Sequence, residues 1–232
     1  IRLDKVYAST TQQINYKELY APDPAWVHYI VVDALVTLQQ GHGFNEIDSK
    51  KQIKQHWTLA KLEQLLAADE PTLAQHLPLF LFERVGCSSY YTDRMDLIFK
   101  LSDADSYIEQ HLDILKQEIP NLSVDGQTVF LDYLKRKPAI LKQLPELIVQ
   151  LTIGRSKTIR DLAVSLLSQL NAEDSQNYLQ SYLVNGSSKE RGFAAELLAR
   201  LGEHNLAVLE QALENEKQKS VQQMLSMAVK RL

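Results

Sequence analysis

The sequence predicts an all-α protein: a superhelical stack of helix pairs (an α-solenoid) in its C-terminal part, and irregular helices in its N-terminal part. Three observations predict it. Glycine (8) and proline (7) are scarce among 232 residues, which disfavours a turn-rich β protein. The segment "SKTIRDLAVSLLSQL" (156–170) carries Ile159, Leu162, Ala163, Leu166, Leu167 and Leu170, a continuous stripe at helical spacing. That stripe returns twice at a 31-residue interval, in "SKERGFAAELLARL" ending at Leu201 and "KSVQQMLSMAVKRL" ending at Leu232.

Taken in order, residues 1–20 show no sustained period and read as an irregular arm. A helix follows over about 23–40, with Asp23 as N-cap, Pro24 in the first turn and Trp26, Ile30, Ala34 and Leu38 four apart. The β-branched run at 30–32 argues for a strand, but no partner strand is evident nearby. "GHGFNEIDSKKQ" (41–52) is a loop, and a helix over about 49–67 comes next. Asp69 and Pro71 start another, which Pro78 should kink or end early. A short helix begins near Tyr91. Ser102 with Asp105, close to a capping box, starts a helix that ends at Pro120. Two more are separated at Pro138, with a kink or boundary near Leu144 forced by Pro145.

The C-terminal helices are predicted over about 156–170, 174–184, 188–201, 205–215 and 218–232. Gly186 and Gly202 stop two of them, and Ser187 with Glu190 forms a capping box. Superposing the 31-residue frames aligns Ile159/Glu190/Val221, Leu162/Phe193/Met224, Ala163/Ala194/Leu225, Leu166/Leu197/Ala228, Leu167/Leu198/Val229 and Leu170/Leu201/Leu232. Seventeen of these 18 positions are apolar, against about eight expected at 45% apolar composition. A helix pair of this length cannot bury both faces alone, but stacked on its neighbours it can. The domain expectation is an irregular helical region over 1–120, a candidate cap, and helical repeats over 121–232. Ile1 at the start and a helical pattern running to Leu232 suggest a piece of a longer polypeptide. The stripe residues Leu225, Ala228 and Val229 are then expected to be partly bare and to promote self-association.

"TIRDLAVSLLSQL" and "ERGFAAELLARLGEH" resemble the second helix of HEAT repeats, in which an arginine is followed by Ala three residues on and then by leucines. Arg160 with Ala163 and Arg191 with Ala194 fit that pattern; Gln222 with Leu225 departs from it. The resemblance covers about 80 residues and implies a fold rather than an activity. The layout is also similar to the repeat region of very large bacterial proteins, some described as molybdate metabolism regulators.

Chemistry is sparse. Net charge is −4, split as +1 from Gly154 onward and −5 before it, which excludes a globally basic nucleic-acid binder. One cysteine, Cys87, rules out an intrachain disulfide and fits a cytoplasmic location. No apolar run is long enough to span a membrane. The six histidines (28, 42, 56, 76, 111 and 204) lack metal-ligand spacing; His42 sits in a Gly-His-Gly loop and His111 on an expected solvated face. Asp103/Asp105 read as helix capping, Asp93/Asp96 as a polar face, and Ser88, Ser89, Tyr90, Tyr91 and Arg94 as an aromatic and polar cluster. No phosphate loop or nucleophile motif is present, so neither an enzyme nor a cofactor is expected.

The candidate interaction ridge is the basic set near the helix starts: Lys157, Arg160, Lys189, Arg191 and Lys219. Frame equivalence puts Arg160 and Arg191 at the same place in adjacent repeats. They could track an acidic peptide or a phosphate backbone, or pair with carboxylates of neighbouring repeats and fix the stacking. The expected function is a non-catalytic scaffold that binds a protein or another domain of its own chain. The alternative is nucleic-acid binding through the ridge, as in some HEAT-like DNA glycosylases.

Overall fold

The structure, a computed structural model, describes residues 58–60, 63, 64, 67, 71–84, 99 and 101–232. Every regular element among the described residues is helical; no strand occurs among them. They fall into two compact units divided between Val129 and Phe130. The expected features at 1–57, Cys87, the 88–94 cluster and the Asp93/Asp96 pair lie outside the described residues. Of the helix expected over 49–67, Leu59, Ala60, Glu63, Gln64 and Ala67 are helical.

In the first unit, α1 spans Pro71–Phe80 and keeps Pro78 inside it. The helix closes two residues later, where the amides of Phe82 and Glu83 both bond the Leu79 carbonyl at 3.0 Å. The single helix expected before Pro120 is instead two, α2 (Ala104–Gln110) and α3 (Leu112–Glu118), followed by a 3-10 turn at Ile119–Asn121. The expected capping box at Ser102 is absent: Asp103 is the N-cap, and its Oδ2 accepts the distant Ala60 amide at 3.1 Å. Leu77, Leu81, Phe82, Tyr107, Ile108 and Leu115 form the buried interior here. The start of α4 (Val124–Lys135) is held by Glu83, whose carboxylate accepts the Ser123 amide at 2.9 Å and the Ser123 hydroxyl.

The second unit continues with α5 (Pro138–Leu141) and α6 (Pro145–Thr152), whose boundary falls at Leu144 as Pro145 requires. Then come α7 (Lys157–Leu167), α8 (Ala172–Asn185), α9 (Ser188–Leu201), a 3-10 turn at Glu203–Asn205, α10 (Leu206–Asn215) and α11 (Lys219–Arg231). α6 packs on α7, α8 on α9 and α10 on α11; α8 also packs on α6, and α9 on α11. The N-caps Ser156, Ser187 and Gln218 fall 31 residues apart. Ser156 accepts the Ile159 amide, and Asn171 Oδ1 caps α8 by accepting the Glu173 amide at 2.8 Å. Glu190, the polar member of the aligned stripe, closes the capping box of α9 by accepting the Ser187 amide at 2.6 Å.

Ala163, Ala194 and Leu225 are buried, as are Leu166, Leu197 and Ala228. These aligned positions carry the core, and fully burying a leucine among them contributes about 2 kcal/mol. One glycine is needed where it stands, and a second makes room for a side chain. Gly202 has φ 125°, a conformation that L side chains rarely adopt, and it lets the chain leave α9. A Cβ on Gly192 would lie 2.4 Å from Met224 Sδ, so the Met224 side chain of α11 packs into the space this glycine leaves on α9. The expectation of a partly bare stripe near the C-terminus is overturned at Leu225 and Ala228. Leu225 and Ala228 are buried and Val229 is half-buried, because α11 turns that stripe onto its neighbours. The exposed apolar residue of α11 is Met227, 72% accessible.

Candidate interaction surface

The ridge arginines are tied into the fold. Arg160 sits near the start of α7, and its Nη1 donates to the carbonyls of Gly154 (2.8 Å) and Arg155 (2.9 Å). Its guanidinium lies over the Phe193 ring of α9, 4.1 Å from the centroid. Arg191 makes the matching bond in the next frame: its Nη1 donates to the Gly186 carbonyl at 2.8 Å. Its other nitrogens grip Glu216 in a fork, Nε to Oε2 at 2.7 Å and Nη2 to Oε1 at 3.1 Å. Gln222 follows in the third frame, its Nε2 donating to the Glu216 carbonyl at 2.5 Å. All three side chains therefore tie down the loop that precedes their own helix.

Glu216 is saturated. Besides the arginine, its Oε1 accepts the amides of Lys217 and Gln218, both at 2.9 Å, and only 9% of the side chain is accessible. The hydrogen bond from Arg191, and then the Gln218 amide, hold its carboxyl below the ordinary value. The lysines of the ridge are different. Lys157, Lys189 and Lys219 are exposed at the starts of α7, α9 and α11. Two contacts join these helix starts into one edge: Arg160 on Phe193, and the Ser188 hydroxyl donating to Gln218 Oε1. The segments 154–161, 186–191 and 216–219 hold seven basic residues against three acidic ones, although the whole chain is net −4.

Beside this edge lies a groove of about 630 Å³ that no sequence pattern announced. Leu183 and Val184 of α8, Val208 and Ala212 of α10 and Leu225 of α11 supply its apolar surface. Gln211, Asn215, Lys217 and the Arg191–Glu216 pair make its polar rim. Val184 is 74% accessible, the largest apolar exposure of the unit together with Met227. Only its position one residue past the α8 stripe could have hinted at this.

Elsewhere the sequence expectation for His111 is corrected. It stands at the break between α2 and α3, half-buried, not on a solvated helix face. Its Nδ1 lies 2.7 Å from the Tyr107 carbonyl, its Nε2 3.1 Å from Glu63 Oε1, and its ring 4.2 Å from that of Tyr107. Burial, and then the nearby Glu63 carboxylate, push the Tyr107 hydroxyl far above the ordinary phenol range. The described residues hold no group of three or more His, Cys, Asp or Glu arranged to hold a metal ion. No helix among them is long and apolar enough to cross a membrane. No protein-family model, no curated protein and no solved structure matches the chain.

Proposed function

We propose that the chain is a non-catalytic helical-repeat scaffold, built as a HEAT-like α-solenoid over its C-terminal unit, that binds a protein or another domain of a longer polypeptide. The observation that carries this is the groove beside α8 and α10, which leaves Val184 three-quarters accessible. Apolar surface of this kind, rimmed by polar groups, favours association with another apolar surface. The 31-residue recurrence of caps, seam residues and loop ties supports the repeat architecture. A cytoplasmic location fits the single cysteine.

A second proposal, nucleic-acid binding, is favoured by one observation: the local excess of basic residues at the helix starts. Arg191 spends Nε, Nη1 and Nη2 inside the fold and Arg160 spends Nη1, which leaves the exposed lysines as the main groups to meet phosphates. Two measurements separate the proposals. Photo-crosslinking from benzoylphenylalanine placed in turn at Lys157, Val184 and Met227 should trap a protein from at least one position; trapping none would overturn the scaffold. Anisotropy of labelled DNA and RNA should show no binding at about 50 mM salt; binding that collapses by about 200 mM would favour the alternative.

A further inference from the structure

We infer that the groove between α8 and α10 is the docking site for an acidic, amphipathic helical segment of a partner protein, anchored by apolar side chains and oriented by Lys217. This rests on the scaffold proposal and names its site and the chemistry of its ligand.

The shape suits a helix. Val208, Gln211, Ala212 and Asn215 lie at i, i+3, i+4 and i+7, so one face of α10 runs along the groove for about 10 Å, two helical turns. Val184 of α8 and Leu225 of α11 also line the groove. An amphipathic helix meets such a surface with its own residues at i, i+3, i+4 and i+7. The volume would otherwise hold about twenty waters over largely apolar lining, so expelling them favours an apolar occupant.

Charge complementarity sets the sign of that occupant. Among the lining residues the charges are Arg191, Glu216 and Lys217. Arg191 and Glu216 cancel in their fork, and two backbone amides complete the coordination of Glu216. Lys217 is left as the exposed cation at the mouth, with Lys189 and Lys219 exposed on the same edge. The carboxylates of α10, Glu210 and Glu214, are exposed and do not line the groove. A cationic segment would meet no free carboxylate in the groove; an anionic one meets Lys217. Nucleic acid could use the lysines but has no apolar side chains for Val184 and Val208.

The test uses the whole chain, isotopically labelled, and two synthetic four-turn helical peptides. Both carry leucine at i, i+3, i+4 and i+7; one has glutamates on its flanks, the other lysines. The glutamate peptide should shift the resonances of residues 183, 184, 208, 211, 212, 215 and 217, and should bind about tenfold more tightly than the lysine peptide. Val184→Asp should weaken it about tenfold, and Lys217→Glu should reverse the preference between the two peptides. Both substituted side chains are exposed, so the fold is retained. Equal binding of the two peptides, or shifts confined to other surfaces, would sink the inference. Shifts of the helix starts by a short DNA duplex, with none from either peptide, would sink it in favour of nucleic acid. Crosslinks to a protein from Met227 or Lys157 but not Val184 would sink the groove while leaving the scaffold standing.

Discussion

Arg160 and Arg191 stand 31 residues apart near the starts of α7 and α9, and each sends Nη1 to a carbonyl of the loop behind it. Beyond that shared bond they part. Arg160 lies on the face of Phe193, a half-buried ring in the next helix pair. Arg191 forks onto Glu216, a carboxylate with 9% of its side chain accessible. The frame repeats the bond inside each pair, tying the loop to the helix, and varies the contact between pairs. A planar guanidinium permits this, since it can donate at its edge and stack on its face at once.

The difference predicts unequal costs. Arg191→Ala should destabilise the protein most, by about 3 kcal/mol, because it leaves a nearly inaccessible carboxylate without its cation and frees the Gly186 carbonyl. Chemical denaturation followed by far-UV circular dichroism reads this directly. A loss below about 1 kcal/mol would mean that the fork is worth no more than an exposed ion pair.

Acid should erase the same contact. Because the folded-state value of Glu216 lies below its ordinary 4.5, the carboxylate contributes stability above that value. This contribution is lost as the pH falls through the lowered folded-state value. The melting-temperature gap between the wild type and Glu216→Gln should therefore be largest near neutral pH and narrow as the pH falls below 4.5 through the lowered folded-state value. The Arg160–Phe193 contact contains no carboxylate, so Phe193→Leu should show a gap that does not change over the same span. A Glu216→Gln gap that stayed constant into acid would break the distinction between the two contacts.

Arg160→Ala should cost less than Arg191→Ala, about 1 to 2 kcal/mol, from two carbonyl bonds and a cation over a ring. Double-mutant cycles sharpen the comparison. Coupling between Arg191 and Glu216 should exceed that between Arg160 and Phe193, and equal couplings would show that the loop bonds carry both residues.

Much of the fold is legible in the sequence, and the unequal legibility has physical causes. Ser187 with Glu190, and Gly202, are local signals whose partners lie within a few residues, so they read correctly. Leu144 is legible because Pro145 restricts the residue before it whatever surrounds it. The break at His111 is not, and the residue its ring meets there, Glu63, lies 48 residues away. The groove is hidden for the same reason: Val184, Val208 and Lys217 are brought together by the spacing of α8 and α10, which no single stripe records. The ridge shows through its spacing, but spacing does not tell an arginine facing outward from one lying on Phe193. Leu225 and Ala228 read as bare because a stripe at a chain end has no visible partner in sequence; α9 and α10 supply one.

The smallest expected effect is the most informative about the repeat. Gln222 departs from the arginine pattern in sequence, yet its Nε2 reaches the Glu216 carbonyl, six residues back, as Arg160 reaches that of Gly154. What the position needs is a donor of sufficient reach, and an amide meets that need without carrying charge. Gln222→Leu should therefore cost only about 1 kcal/mol, one loop bond at a half-buried site. Gln222→Arg should retain most of the wild-type stability, because the longer side chain can reach the same carbonyl and extend its charge to solvent. Both follow from denaturant midpoints at unchanged slope. If Gln222→Arg destabilised more than Gln222→Leu, the loop-tie role shared by the three frames would be wrong, and the likeness of Arg160 to Arg191 would be a coincidence of two frames.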